Sequence, residues 1–213
     1  MKTDELVNLL ATAGGAVDTN LPARRFTVAV ISGLAGAAVL MAVFLGVRDD
    51  LALDAALAMF WVKLAFPALL ALAGVAAAMR LSRPGAPLAR LPAALAAPVI
   101  VLWILAAFSL VQAEPARRAT LVFGESWTEC AFSIAFLSLP ALIAMLWAMK
   151  AMAPTRLPLA GAAAGLASGA LGALVYTLHC PELAAPFLGI WYVIGMLIPA
   201  AAGALIGPRV LRW

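Results

Sequence analysis

Few residues in this chain can do chemistry. Its 213 residues hold two cysteines and one histidine, and Asp, Glu, Lys and Arg together make up 11%. Each scarcity excludes something. The only cysteines, Cys130 and Cys180, form no Cys-x-x-Cys pair and have no second pair to pass electrons to, so a membrane thiol oxidoreductase lacks its relay. The formal charge of +4 is small and sits in short flanks between apolar runs, which argues against a nucleic-acid surface and against any direct nucleic-acid partner. Only Lys63 is charged within an apolar run, whereas a metal transporter wants several polar groups at mid-membrane and broken helices. Pro67, Pro98, Pro140 and Pro199 are the places where such breaks could fall. The oxidoreductase and the transporter remain the alternatives that would use the same cysteine pair. No residue is assigned a catalytic role, and the chain is read as a non-enzyme without a permanent cofactor.

What the chain has in excess is apolar sequence, at 66%, against about 45–50% in soluble domains. A helix needs roughly 20 apolar residues to cross the hydrocarbon core. Six stretches meet that length: 26–47, 57–79, 91–111, 131–149, 157–178 and 187–207. The expected fold is therefore all-α, a six-helix transmembrane bundle (residues 26–213) with short loops, preceded by a tail of residues 1–25. The first apolar run is long enough to span and follows a polar tail, so no cleaved signal peptide is expected.

Lys and Arg set the expected orientation. With the N-terminus inside, the inner face carries Lys2, Arg24, Arg25, Arg80, Arg83, Arg90, Lys150, Arg156, Arg209 and Arg212, and the outer face only Arg48, Lys63, Arg117 and Arg118. Ten against four satisfies the positive-inside rule, which predicts a multi-pass protein of a bacterial inner membrane with both termini cytoplasmic. Asp49, Asp50, Asp54, Glu114, Glu125, Glu129 and Glu182 then make the outer face acidic, either as a cation-attracting surface or as plain solvated loop ends.

Several residues have structural readings. Gly161, Gly165 and Gly169, with Gly203 and Gly207, recur every fourth residue and predict close helix packing within the bundle. Trp61, Trp127, Trp191, Tyr192 and Trp213 fit an interfacial belt, with Trp103 and Trp147 deeper as packing residues. Lys63 is expected either to snorkel to the outer interface or to pair with an acid such as Glu125 or Glu129. In the tail, Thr3 can cap a helix with Asp4 and Glu5 in its first turn. Leu6, Leu9, Leu10 and Ala13 form one apolar stripe, and Gly14-Gly15 can end the helix. Its polar face lacks Lys and Arg, which suits a protein groove better than an anionic lipid surface; packing back on its own bundle is the other reading.

Cys130 opens the fourth span and Cys180 follows the fifth, which places both at the outer membrane surface, where a disulfide can persist. His179, Glu129 and Glu182 stand beside them in sequence, so thiolate, imidazole and carboxylate together make a candidate site for a soft or borderline metal ion. The nearby acids would tend to raise a thiol pKa. Three readings stay open: a disulfide clamp, a redox or metal sensor, and inert buried thiols.

The segments Met1-Lys2-Thr3-Asp4-Glu5-Leu6, Trp127 to Cys130 with Pro140 downstream, and Ala153-Pro154-Thr155-Arg156 leading to Gly161 resemble the NrsF-type (negative regulator of sigma F) membrane anti-sigma factors. So do Tyr176-Thr177-Leu178-His179-Cys180-Pro181-Glu182, Pro186-Phe187, Trp191-Tyr192 and the ending Arg209-Val210-Leu211-Arg212-Trp213. The resemblance covers nearly the whole chain, and the two cysteine segments are its distinctive part. It implies an inner-membrane protein that holds an extracytoplasmic-function sigma factor inactive on the cytoplasmic side. Stress from heavy metals or oxidants would act through Cys130 and Cys180, with at most a transient metal ion at the pair, to free the partner.

Overall fold

The computed structural model describes residues 3–13 and 20–212. Lys2, Gly14, Gly15 and Trp213, named above, lie outside the described residues, as do the side chains of Leu10 and Ala13. The tail helix α1 runs Thr3–Ala13 and takes in Thr3 itself. The first span, α2, is Leu21–Phe44, and a short α3 (Leu51–Asp54) leads to the second span, α4 (Ala58–Leu81). The third span, α5, is Leu91–Gln112, followed by α6 (Pro115–Phe123). The fourth span is two helices, α7 (Trp127–Leu137) and α8 (Leu139–Lys150). The fifth is α9 (Leu157–Tyr176). The sixth starts with the short α10 (Ala185–Phe187), passes through a π-helical turn at Leu188–Tyr192, and continues as α11 (Val193–Val210). Among the described residues, six helices or joined helices are long and apolar enough to cross a membrane.

The local chemistry explains most boundaries. α2, α5 and α9 all begin Leu-Pro, and a proline's fixed φ and missing N–H cost nothing in a helix's first turn. This start carries the first span back to Leu21, into what the sequence assigned to the tail. Gly46 has φ of 78°, a left-handed conformation that suits glycine, and the helical backbone has ended just before it. Of the four prolines at which a break could fall, only Pro140 lies beside one, at Ser138 between α7 and α8. Pro67, Pro98 and Pro199 sit inside continuous helices.

α9 is the central post. It packs along α11, α4, α8, α7 and α2. Its buried face is almost entirely small: Ala160, Gly161, Ala164, Gly165, Ala167, Ser168, Gly169 and Gly172 among others. Inside lipid no hydrophobic force gathers helices, so association depends on van der Waals contact between close backbones, which small residues allow without losing rotamer freedom. The glycine stripe works within the bundle, as the spacing predicts. A Cβ at Gly161 would collide with the carbonyl of Gly203, and one at Gly165 with the carbonyl of Pro199. Ser168 donates back to the carbonyl of Ala164 and Thr177 to that of Ala173, so neither hydroxyl is left bare.

α5 is the peripheral span, mostly exposed and attached to α4, α10 and the π-helical turn. Trp103 and Trp147 are each 55% exposed, which corrects their reading as deep packing residues. Trp103 Nε1 donates to Gly189 O, and Trp147 offers its ring to Arg25.

Overpacking a tight core costs about 1–3 kcal/mol, more where backbone must move. Gly165→Leu is therefore expected to lower the midpoint of thermal unfolding in detergent and the yield of membrane-inserted protein, whereas Leu166→Met, beside it and half-buried, leaves both near wild type.

Candidate functional site

The site forms where α7, the end of α9, the π-helical turn and α4 meet. Cys130 is the fourth residue of α7, and its N–H donates to Ser126 O. Cys180 ends the turn that closes α9: its N–H donates to Tyr176 O, following bonds from Leu178 to Val175 and from His179 to Tyr176. Spans four and five are neighbours, and the two thiols come together close enough to interact directly. Both are free thiols with 0% exposure. The sequence places them at the outer membrane surface; the structure buries both side chains at the end of the bundle where α9 finishes. Tyr176 and Tyr192 wall the pair, with ring centroids 5.9 Å apart. Tyr192 is wholly buried, and the polar group beside its hydroxyl is the Cys180 thiol.

Lys63 completes the cluster. It neither snorkels nor pairs with Glu125 or Glu129. Its side chain turns into the bundle, 1% exposed, and Nζ donates to the Cys180 carbonyl at 2.5 Å and lies 5.8 Å from the Tyr192 ring centroid. The physical reason is that the inward path offers a fixed acceptor and a ring face, which an outward path along lipid does not. The same carbonyl accepts a second bond from Arg48 Nη1 at 2.9 Å. Arg48 also pairs with Asp50 and Asp54. Further ties hold the loops: His179 Nδ1 stands 3.0 Å from Gly46 O, and the Glu182 carboxylate accepts the N–H of Glu125 at 2.7 Å. Gly124, at φ 55°, lets the chain pass so close to Glu182 that a Cβ there would overlap the carboxylate.

These contacts place each of the candidate metal ligands. Of the candidate ligands Cys130, Cys180, His179, Glu129 and Glu182, the structure brings together only the two thiols. His179 turns to Gly46, Glu182 to the Glu125 amide, and Glu129 is exposed. Among the described residues no group of three or more His, Cys, Asp or Glu is placed to hold a metal ion. The electrostatics also differ from expectation, because the charge nearest the thiols is a cation. The Cys180 thiol is held below its ordinary pKa, first by its interaction with Cys130 and then, against the cost of burial, by the Lys63 ammonium.

The candidate partner-binding face of α1 is partly visible. Leu6 is 42% and Leu9 56% exposed, so the described part of the stripe is uncovered. Lys63, Tyr176 and Tyr192 are the site residues that sequence reasoning did not assign. The signal for Lys63 was its position as the only charge inside a span.

The chain matches the family model described as negative regulator of sigma F over residues 10–213. It is 52% identical over 213 residues to a probable anti-sigma-F factor NrsF of Azospira oryzae, covering 100% of both chains. It is 40% identical over 218 residues to the anti-sigma-F factor NrsF of Caulobacter vibrioides, again covering 100% of both. No solved structure matches it.

A thiol pair so placed is expected to bridge within one chain. Treating membranes with the thiol oxidant diamide should block both cysteines from maleimide labelling and leave a monomer on a non-reducing gel. A cysteine-dependent dimer in its place would contradict the placement.

Proposed function

The chain belongs to the NrsF family of negative regulators of sigma F, and from that membership we propose that it is a membrane-bound anti-sigma factor. It holds an extracytoplasmic-function sigma factor on the cytoplasmic side of the inner membrane and releases it when the Cys130–Cys180 pair is oxidised or takes a heavy-metal ion. The observation that carries this reading is the meeting of the only two cysteines, brought from separate spans into one buried cluster at one end of the bundle.

The chemistry of the pair is simple. In oxidation the two thiols lose two protons and two electrons, the Sγ–Sγ bond forms, and diamide, as an example of the oxidant, becomes the hydrazine. A soft metal ion would displace the thiol protons and be held by two thiolates, the ligand type that such ions prefer. Either event draws the start of α7 and the end of α9 into a new spacing. α9 runs from there to the opposite end, a path of about 30 Å at 1.5 Å per residue, and is rigid because it is packed on several helices. The loops at 80–90 and 150–156, rich in Arg and Lys by sequence, lie at that opposite end. They supply the partner's docking surface together with α1, where Leu6 and Leu9 are exposed and the sequence spaces Leu6, Leu9, Leu10 and Ala13 as one apolar stripe.

Release needs the modified state to bind the partner less well than the resting state, and a tenfold change corresponds to about 1.4 kcal/mol. A sigma-dependent reporter tests the reading. Cys130→Ser and Cys180→Ser, at wild-type protein level, should each abolish induction by diamide and by cadmium chloride. Leu6→Asp with Leu9→Asp should raise the uninduced signal, because a charged stripe no longer fits a groove. Induction unchanged in both serine variants would reduce the pair to a structural feature.

A further inference from the structure

Lys63 is nearly the most expensive side chain this bundle could bury. It is 1% exposed, and among the described residues no carboxylate lies within ion-pair distance of it. An ammonium in a dry, apolar setting persists only where fixed groups replace its water. Here those groups are the Cys180 carbonyl, 2.5 Å from Nζ, and the Tyr192 ring face, 5.8 Å away at its centroid. Two cations converge on that carbonyl, since Arg48 donates to it as well. Arg48 has Asp50 and Asp54 to neutralise it; Lys63 depends on the oxygen. The oxygen belongs to the residue whose side chain is one of the two thiols.

We propose that Lys63 is the positioning residue of the thiol switch, turning a change at Cys180 Sγ into a movement of α4. This rests on the reading that the thiol pair controls release. Bridging Cys180 to Cys130, or binding an ion between them, shifts residue 180 and withdraws its carbonyl from the ammonium. Lys63 then has no fixed acceptor, and either α4 follows the carbonyl or the loop returns. Positions between are disfavoured, so the pair acts as a two-state element rather than a graded one. α4 packs along α9, and its far end leads directly into the loop at 80–90, which gives the movement a second route to the opposite end. A residue that only filled space would be replaceable by an apolar side chain of equal length.

The test uses the full chain in cells carrying the sigma-dependent reporter, with diamide as the probe. Bridge formation is read by protection from maleimide, and induction as the ratio of treated to untreated signal. Lys63→Met should bridge as wild type does, while its induction ratio falls about tenfold, equivalent to about 1.4 kcal/mol of lost coupling. Lys63→Arg, which keeps a cation, should recover most of the ratio. A Lys63→Met protein that bridges and induces like wild type overturns the proposal and leaves the thiol reading standing. Failure of Lys63→Met to bridge would place Lys63 in the thiol chemistry and overturn the positioning role. Bridging of the wild type without induction overturns the thiol reading itself, and the proposal with it. Should Lys63→Met not accumulate, Arg48→Gln removes the second donor to the same oxygen. It is expected to bridge normally with a reduced induction ratio, and wild-type induction in that variant would overturn the proposal.

Discussion

Apolar surface pulls nothing together inside a bilayer, and the structure depends on a substitute: the close approach of α9 to the helices around it. Its glycines and alanines bring backbone against backbone, with Gly161 on Gly203, Gly165 on Pro199, and Gly74 of α4 on Ala167. Such contacts depend on steric fit and tolerate little sideways adjustment. The helix that touches most of the bundle is thereby also the one with least freedom to deform. A displacement imposed at one end of α9 is more readily carried along it than absorbed within it.

The polar ties are concentrated at the end where α9 finishes. The loop at 177–184 is fastened by Arg48 and Lys63 to the Cys180 carbonyl, by His179 to the Gly46 carbonyl and by Glu182 to the Glu125 amide. The ties join this loop to three parts of the chain: the segment after α2 with Gly46 and Arg48, Lys63 of α4, and Glu125 just before α7. The last lies beside an aromatic group formed by Phe123, Trp127 and Trp191, whose indole donates to Val122 O. The π-helical turn that carries Tyr192 belongs to the same region, and such turns interrupt helical register where a side chain must be re-aimed. Without it, Tyr192 would not face the thiols at the register set by Gly195 and Gly203 further along the helix.

Much of this was legible in the sequence, for identifiable reasons. Span number follows from hydropathy, which needs only composition and length. The packing role of Gly161, Gly165 and Gly169 follows from a four-residue period. The meeting of Cys130 and Cys180 was not legible, because it requires that spans four and five be neighbours, and helix adjacency is set by packing that one sequence does not show. Lys63 was misread because local reasoning compares burial with snorkelling, and the acceptor that reverses the balance, the Cys180 carbonyl, lies 117 residues away. The metal set Cys130, Cys180, His179, Glu129 and Glu182 was inferred from adjacency in sequence. A tight turn sends neighbouring side chains in different directions, and His179 and Glu182 each found a backbone partner instead. The π-helical turn at Leu188–Tyr192 has no simple sequence signature.

Burial of the thiols has a kinetic consequence. Both side chains have no exposed surface, so a reagent reaches them only through local opening, and the rate of modification is scaled by the open fraction. The ties that set this fraction are few and polar: the Arg48 and Lys63 bonds to the carbonyl, and the Glu182 bond to Glu125. A thiol that was exposed would respond to every passing oxidant. A covered thiol reacts with the same oxidant more slowly, by a factor equal to its open fraction.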